Sequence, residues 1–204
     1  MPPCFKIEKP YPSPLAGVDE AGCAPLAGPV VAAAVILDRA KFPRGIDDSK
    51  KLPAPLREAI CAKLYKVAGV GVGIASVEEI DRLNIFWARM LAMQRAVDAL
   101  GVDPEMVLVD GNKLPRWERP SVAIVKGDAK SRSIAAASIV AKVTRDAIMA
   151  EHAQAWPGYG WEQNKGYPTP FHCNALKALG PTPLHRRSFA RVREQLQLEL
   201  LAAE

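Results

Sequence analysis

Four acidic residues stand where short apolar segments are predicted to end, or beside a glycine. Asp19 and Glu20 lie in Gly-Val-Asp-Glu-Ala-Gly, Asp110 ends Val-Leu-Val-Asp, and Asp128 ends Val-Lys-Gly-Asp. An acid at the end of a buried strand is held rigidly at a sheet edge, which is where α/β folds place their sites. One such acid alone is more simply explained as a helix cap or a turn former, above all Asp128, which directly precedes a predicted helix. The recurrence of the arrangement favours a shared site.

Carboxylates gathered in one low-dielectric site would repel one another, so the pattern predicts bound cations. All candidate ligands are hard oxygens, and His152, His172 and His185 form no ligand pair at helical spacing. Hard ligands favour Mg²⁺ or Mn²⁺ over zinc. Two such ions about 4 Å apart can activate a water and stabilise the leaving oxygen in phosphodiester cleavage, so that no covalent nucleophile is needed.

The adjacent pair Asp19 and Glu20 poses a geometric problem. Neighbouring side chains of a regular strand point to opposite faces of the sheet. Either the strand has ended by Glu20, or Glu20 contributes through its backbone carbonyl or a bound water. The sequence leaves these alternatives open.

The composition is that of a globular protein with a basic balance. Of 204 residues, 49% are hydrophobic and 24% charged, with a net charge of +5. No apolar run approaches the roughly 18 residues of a membrane span, and the first 14 residues lack the apolar core of a signal peptide. Two basic clusters suit a polyanionic partner without requiring one: Lys126, Lys130, Arg132, Lys142 and Arg145, and Arg186, Arg187, Arg191 and Arg193. The cysteines form no C-x-x-C pair, so we expect reduced thiols in the cytoplasm rather than a zinc site.

The hydrophobic periodicity predicts an α/β layer fold whose early strands pair as a meander. Strands are predicted near 15–18 and at 29–37, 70–74, 106–111 and 121–125, and helices at 56–67, 84–100, 133–150, 171–179 and 188–201. Ser76 and Glu79 form a capping-box pattern that opens a further helix. The segment 156–170, rich in glycine, proline and aromatic residues, is predicted to be largely loop.

Several longer motifs follow one another along the chain. They are Gly17-Val18-Asp19-Glu20-Ala21-Gly22, Asp48-Ser49-Lys50-Lys51-Leu52, Leu83-Asn84-Ile85, Val109-Asp110-Gly111-Asn112, Val125-Lys126-Gly127-Asp128, the segment 136–146, Lys165-Gly166-Tyr167-Pro168-Thr169, His172, and His185-Arg186-Arg187-Ser188-Phe189. In this order and spacing they resemble the motifs of bacterial ribonuclease HII, from about Ala16 to Arg193. Each motif is short, but chance resemblance of the ordered set is negligible.

The resemblance implies a ribonuclease H-like fold: a five-stranded mixed sheet flanked by helices, with a C-terminal helical extension. The expected parts are an extended N-terminal arm (1–14), the catalytic domain (15–155), and a C-terminal loop and helical extension that contributes to substrate binding (156–204). The resemblance also implies Mg²⁺- or Mn²⁺-dependent hydrolysis on the 5′ side of ribonucleotides, in RNA–DNA hybrids or embedded in duplex DNA. Such hydrolysis leaves 3′-hydroxyl and 5′-phosphate ends and serves ribonucleotide removal from DNA. We expect a monomer.

The family's functional positions carry over residue by residue. Its metal-binding acids match Asp19, Glu20, Asp110 and Asp128; its lysine near the scissile phosphate matches Lys50; its tyrosine at the ribose–deoxyribose junction matches Tyr167; and its ribonucleotide-contacting turn matches Gly22, Cys23 and Ala24. Only the 2′-hydroxyl separates RNA from DNA at one site, so reading it requires a closely approaching backbone turn. Without the motifs, Lys50 would be read as a surface lysine and Tyr167 as a loop aromatic.

The turn departs from the family pattern. The family has Gly-Arg-Gly, whereas this chain has Gly22-Cys23-Ala24 followed by Pro25. If the second glycine position needs a positive φ, Ala24 would be strained by about 1 kcal/mol or more. Because the family's turn acts chiefly through main-chain groups, we expect retained activity with altered affinity. Restoring both residues by Cys23→Arg with Ala24→Gly is expected to improve binding. Cys23 is either a thiol-reagent-sensitive site or a buried, inert thiol.

Two alternatives remain at this point. Ribonuclease HIII carries a sizeable N-terminal substrate-binding domain, whereas only about fifteen residues precede Leu15 here. A non-catalytic nucleic-acid-binding module would gain nothing from a carboxylate cluster, so the intact acids disfavour it.

Overall fold

The fold is built on a five-stranded mixed sheet, and the computed structural model describes residues 2–202. Met1 and residues 203–204, at the outer ends of the predicted arm and extension, lie outside the described residues. The strands are β1 (Leu15–Ala21), β2 (Val30–Ile36), β3 (Gly69–Ala75), β4 (Met106–Asp110) and β5 (Ser121–Ile124). In the order β3-β2-β1-β4-β5, the first three strands form the predicted antiparallel meander, and β4 and β5 add in parallel.

Helices cover both faces of this sheet, which confirms the predicted fold class. They are α1 (Ala54–Val67), α2 (Val77–Leu83), α3 (Ile85–Asp98), α4 (Arg132–Ala155), α5 (Trp161–Asn164), α6 (Pro170–Leu179) and α7 (Ala190–Ala202). Helices α1 and α4 pack on one face and α3 on the other, while α6 and α7 form the C-terminal helical part.

The strand β2 is apolar throughout because both of its faces are covered. Val30, Ala32 and Ala34 join the core cluster under α3, whereas Ala33 and Val35 join the cluster under α4 and α1. A strand buried on both sides reads as a continuous apolar run instead of an alternating one. The predicted buried strand at 29–37 is therefore confirmed.

Two helix boundaries follow from side-chain caps. The predicted capping box is present: the Glu79 backbone N–H donates to Ser76 Oγ, and the Ser76 N–H donates to Glu79 Oε2. Asn84 Oδ1 accepts hydrogen bonds from the N–H groups of Phe86 and Trp87, which starts α3 directly after α2. Each cap satisfies backbone donors that have no partner inside the helix.

The segment predicted as loop, 156–170, differs in part from the structure, since it contains the single-turn helix α5. Trp161 at the start of α5 is fully buried and stacks on Tyr159 with ring centroids 5.1 Å apart. The turn is held by this aromatic packing, which a glycine- and proline-rich composition does not reveal.

The N-terminal residues differ from the extended arm that was predicted for them. Phe5–Ile7 form a 3-10 turn, and the following Glu8 is buried. Its carboxylate accepts hydrogen bonds from Ser131 Oγ at 2.7 Å, from Ser133 Oγ at 2.9 Å, and from the Ser133 backbone N–H. A carboxylate at a helix N-terminus is stabilised by the unpaired N–H groups there, so Glu8 ties this segment to the start of α4.

The helices and the cysteines can be compared with the expectations for membrane spans and thiols. Within residues 2–202, no helix combines the length and the apolar character needed to cross a bilayer. The side chains of Cys4, Cys23, Cys61 and Cys173 are all free thiols.

Candidate active site

Asp19 and Asp110 lie on neighbouring parallel strands. Val18 of β1 pairs with Val109 of β4, so the next residue on each strand is one of the two acids. Parallel strands share a direction, and their carboxyl ends meet at the same sheet edge. Asp19 is buried, with 6% of its surface exposed, and Asp110 is partly buried. The sheet therefore brings together two acids that are 91 positions apart in the chain.

Asp128 reaches the same edge through the turn that follows β5. The backbone N–H of Gly127 donates to Asp110 Oδ1 at 2.6 Å, which brings the turn against Asp110. Asp128 is buried, and its Oδ1 accepts the Ala129 N–H at 2.9 Å. Asp128 thus serves as the local turn former considered from the sequence and, at the same time, lies beside the other acids.

Glu20 is still inside β1, since the strand continues to Ala21. Along β1, Val18 packs under α3 and Ala21 packs under α4, so the alternation places Glu20 on the α3 face and Asp19 on the α4 face. The alternative in which the strand ends before Glu20 is wrong. Glu20 Oε1 accepts a hydrogen bond from Arg89 Nη1 of α3 at 3.2 Å.

The acids interact electrostatically as one group. Burial, followed by the charges of Glu20 and Asp110, raises the pKa of Asp19 well above its ordinary value. Burial also raises the pKa of Glu20, although the Arg89 guanidinium opposes this. For Asp110, burial and the charge of Asp128 act in the same direction to raise its pKa. The site therefore holds more negative charge than its own cations neutralise.

The described residues do not form a ready-made metal cage. Among residues 2–202, no three His, Cys, Asp or Glu side chains meet the geometry of an assembled ion site. Instead, one oxygen of each acid accepts a hydrogen bond from the protein; Asp19 Oδ1, for example, accepts the Glu20 N–H at 2.7 Å. Glu20 Oε2 is buried with no hydrogen-bond partner. A buried carboxylate oxygen without a partner is unusual and calls for one. Together with the neighbouring acids of raised pKa, it offers the oxygen ligands that a hard cation prefers.

Lys50 lies at the rim of the acid group. Its Nζ is 3.6 Å from Asp128 Oδ2, and 83% of its side chain is exposed. The preceding Ser49 is buried, and its N–H lies 3.4 Å from Ser138 Oγ of α4. Lys50 therefore holds an exposed ammonium group beside Asp128, next to a residue whose backbone lies against α4.

The turn after β1 is held from beneath by buried arginines. Gly22 has φ +99°, and an added Cβ would lie 2.0 Å from Arg145 Nε. Arg186 Nη2 donates to the Gly22 carbonyl at 2.6 Å, and its Nη1 donates to the Cys23 carbonyl at 3.1 Å. Ala24 is not among the described residues with positive φ, so the strain considered for it from the sequence does not arise.

Cys23 is a poor nucleophile in this setting. Burial, followed by the nearby charge of Glu20, raises the pKa of its thiol to about 12. Its Sγ lies 3.5 Å from Glu20 Oε1, as a weak donor. Thiolate is the reactive form, so the inert alternative for Cys23 is favoured.

Arg145 and Arg186 have a structural role that their positions in the basic clusters do not suggest. They are 1% and 0% exposed, respectively. Arg145 donates to the carbonyls of Ala27, Pro29 and Lys165, and Arg186 donates to those of Gly22, Cys23, Gly28 and Pro29. These two side chains therefore do not add to a basic surface; they fix the β1–β2 connection and the loop before α6.

Tyr167 lies on the loop that these contacts anchor. The Leu26 N–H donates to the Gly166 carbonyl at 2.8 Å, which joins the loop to the β1–β2 connection. The Tyr167 side chain is 40% exposed. Its backbone carbonyl lies 2.9 Å from His172 Nδ1, and this nitrogen is then the protonated one. The loop that carries Tyr167 is thus joined by a backbone hydrogen bond to the chain that follows the turn 22–24.

A buried, neutral histidine pair supports this loop. His172 Nε2 lies 3.1 Å from His185 Nε2, and the Thr182 N–H donates to His185 Nδ1 at 2.9 Å. Trp161 Nε1 also donates to His172 Nε2. With Nδ1 of His185 accepting, its Nε2 carries the proton and donates to His172. Burial lowers the pKa of His172, and burial together with His172 lowers the pKa of His185 to about 3.

We expect this pair to make the protein acid-labile. The unfolded chain binds a proton at each histidine near pH 6.5, whereas folded His185 does so only near pH 3. His185 therefore contributes stability that is present above pH 6.5 and is lost on acidification at about 1.4 kcal/mol per pH unit. Urea unfolding between pH 4 and 6.5 should give a shallower pH slope for His185→Gln than for the wild type. His152→Gln is the control, and equal slopes for all three proteins would contradict the assignment.

The comparison with known proteins assigns the family. The family model described as Ribonuclease HII matches residues 16–192. The chain belongs to the ribonuclease HII family. A curated Ribonuclease HII from Rhizorhabdus wittichii is 66% identical over 190 residues, which cover 93% of this chain and 94% of that relative. One from Parvibaculum lavamentivorans is 57% identical over 194 residues, covering 94% and 72%.

Solved structures support the same assignment. The ribonuclease H2 of Pyrococcus horikoshii OT3 superposes with a TM-score of 0.77 at 28% identity, covering 90% of this chain and 97% of that one. As a ribonuclease HII, the chain is a hydrolytic endoribonuclease with the ribonuclease H fold. The family match also excludes the alternative of ribonuclease HIII.

The residue that sequence reasoning missed at this site is Arg89. It sits in α3 between Ala88 and Met90, which are both buried, yet it is itself only partly exposed. A charged residue between two core residues of a helix indicates a paired charge, because a desolvated charge is costly unless it has a partner.

Proposed function

We propose that this ribonuclease HII is a divalent-metal-dependent endonuclease that hydrolyses the phosphodiester on the 5′ side of a ribonucleotide. Its substrates are RNA–DNA hybrids and duplex DNA with embedded ribonucleotides, and its products carry 3′-hydroxyl and 5′-phosphate ends. The support is the family membership together with the convergence of Asp19, Glu20, Asp110 and Asp128 at one sheet edge.

The carboxylate oxygens of Asp19, Asp110 and Asp128 would hold Mg²⁺ or Mn²⁺, and Glu20 would contribute through a water bound to the ion. The observation that carries this step is uncompensated negative charge: burial and mutual repulsion raise the pKa of Asp19, and Glu20 Oε2 is buried without a partner. When bound, such ions activate a water and stabilise the charge that develops on the leaving oxygen. The hydrogen bond from Gly127 to Asp110 Oδ1 keeps that carboxylate in place.

The neighbouring residues would bind the substrate. Lys50 projects its ammonium group above Asp128, where it can neutralise a phosphate that approaches the acids. The turn 22–24 offers main-chain groups to the 2′-hydroxyl, and Arg186 fixes its position through the Gly22 and Cys23 carbonyls. Tyr167 would pack against the sugar on the other side of the cut bond, leaving no space for a second 2′-hydroxyl.

The testing experiment compares duplex DNA containing one ribonucleotide with the same duplex containing none. With Mg²⁺ or Mn²⁺, we expect one nick, on the 5′ side of the ribonucleotide. The upstream fragment should end in a 3′-hydroxyl that a DNA polymerase can extend, and the downstream fragment should begin with the 5′-phosphorylated ribonucleotide. With EDTA, no nick is expected. Binding without cutting under all conditions would instead support the non-catalytic module.

Two further expectations accompany the proposal. The free thiols are consistent with a reducing compartment, and we propose that the enzyme acts in the cytoplasm. We also propose that the monomer is the active form, because all of the proposed ligands come from one chain. Sedimentation at working concentration, read beside the nicking assay, checks the second point.

A further inference from the structure

Arg89 reaches the acid group from outside the motifs that carry the catalytic residues. It belongs to α3, and its Nη1 lies 3.2 Å from Glu20 Oε1 with 23% of the arginine side chain and 14% of the glutamate side chain exposed. The guanidinium also lies over the Phe86 ring, 5.3 Å from the centroid. Charge-assisted hydrogen bonds in such partly dehydrated surroundings are stronger than exposed ones. Arg89 therefore restricts the orientation of Glu20.

A residue of the turn after β1 also contacts Glu20 Oε1. Cys23 Sγ lies 3.5 Å from Glu20 Oε1, so Arg89 and Cys23 approach one atom from two elements. With Oε1 occupied, the buried oxygen without a partner is Oε2. A side chain that fixes one carboxylate oxygen determines which oxygen remains for another ligand.

We propose that Arg89 is a positioning residue, which holds Glu20 by Oε1 and leaves Oε2 to accept a hydrogen bond from a water bound to the metal ion. In this chain it supplies from α3 the guanidinium that the turn, with Cys23 at its centre, does not provide. The inference rests on the proposed function, since it assigns to Glu20 a contact with the metal ion through water. It also revises one expectation from the sequence: Cys23→Arg would place a second guanidinium beside the Arg89 guanidinium, at one carboxylate.

The experiment is a double-mutant cycle with Arg89→Met, Cys23→Arg and both changes together. Methionine keeps much of the apolar stem of arginine while removing the charge. Arg82→Met is the matched control, because Arg82 is an exposed arginine of α2. Each variant is measured for kcat and KM on the single-ribonucleotide duplex, for Mn²⁺ affinity by electron paramagnetic resonance without substrate, and for its melting temperature in EDTA.

We expect opposite changes in binding and turnover for Arg89→Met. Loss of a positive charge beside the acids should tighten Mn²⁺ binding, by about threefold, whereas loss of the hold on Glu20 should lower kcat about tenfold with little change in KM. Cys23→Arg alone should weaken Mn²⁺ binding about threefold through like-charge repulsion. The double variant should return both quantities to within about threefold of wild type. A protein that was merely destabilised would lose affinity, turnover and melting temperature together.

The outcomes separate this inference from the proposed function. Unchanged kcat for Arg89→Met, or a double variant no better than the worse single variant, would refute the positioning role. Absence of metal-dependent nicking by the wild type would refute the proposed function. In that case the Mn²⁺ affinities of the four proteins would still test whether Arg89 and Cys23 act on one carboxylate.

Discussion

Asp110→Asn is expected to lower metal-dependent nicking by at least about a thousandfold, the scale of losing a ligand that organises the reacting groups. Asparagine keeps the Oδ1 acceptor for the Gly127 N–H, so the turn that carries Asp128 should stay in place. The metal-free variant should at the same time be more stable than wild type. Burial and the charge of Asp128 raise the pKa of Asp110, which means that folding opposes its ionisation more than the unfolded chain does.

Asp110→Asn should therefore gain stability while it loses activity. Removal of one repelled carboxylate should add on the order of 1 kcal/mol to the free energy of unfolding at pH 7. The gain should shrink as the pH falls through the raised pKa of Asp110 towards its ordinary value, because the carboxyl group is then protonated in the folded wild type as well. Urea unfolding in EDTA measures it. Glu105→Gln is the control, because Glu105 is an exposed acid directly before β4, at the opposite end of that strand. Near-normal nicking by Asp110→Asn, or a loss of stability, would contradict its assignment to a repulsive ligand cluster.

Gly17→Ala should cause a large loss of stability, because the added methyl group would meet the backbone of α4. An added Cβ at Gly17 would lie 2.2 Å from the Ser133 carbonyl carbon and 2.3 Å from the Ile134 nitrogen, both in the backbone of α4. Backbone cannot rotate away as a flexible side chain can, so β1 and α4 would have to separate. We expect a loss of about 3 kcal/mol or more, at the upper end of overpacking effects. Since Glu8 and Asp128 both contact the start of α4 or the turn before it, activity should fall as well.

Gly69→Ala is the matched control for that change. Gly69 is also a strand glycine, at the start of β3, but its added Cβ would meet only the side chain of Ile36, at 3.5 Å and 3.9 Å, which is ordinary van der Waals contact. Alanine restricts the unfolded chain more than glycine does, so this variant should be neutral or stabilised by a few tenths of a kcal/mol. Equal destabilisation by the two substitutions would show that close approach of the α4 backbone is not the reason for glycine at position 17.

The sequence was sufficient for the parts of this protein that depend on local pattern. The apolar run of β2, the capping box of α2, the acids near the end of β1 and the acid that ends β4 each follow from a few neighbouring residues. The same pattern also predicted that Asp19, Asp110 and Asp128 approach one another, because strand ends share a sheet edge.

The contacts that the sequence did not reveal link distant positions through long side chains. Arg186 donates to the carbonyl of Gly22, 164 positions earlier, and Glu8 accepts from Ser131, 123 positions later. Nothing near Arg186 distinguishes it from Arg187, which is exposed. Burial of an arginine or a glutamate is decided by whether enough partners surround it in three dimensions, and periodicity carries no such information.

The reach of Arg186 has a consequence for the order in which the molecule is made. A nascent chain that has been translated only as far as residue 128 already contains every acid of the cluster. Its β1–β2 connection, however, still lacks the Arg186 guanidinium, which donates to four carbonyls of that connection. Contacts between residues so far apart in the chain form late in folding. The turn 22–24 is therefore tied down only after Arg186 has been added to the chain, 58 positions after the last of the four acids.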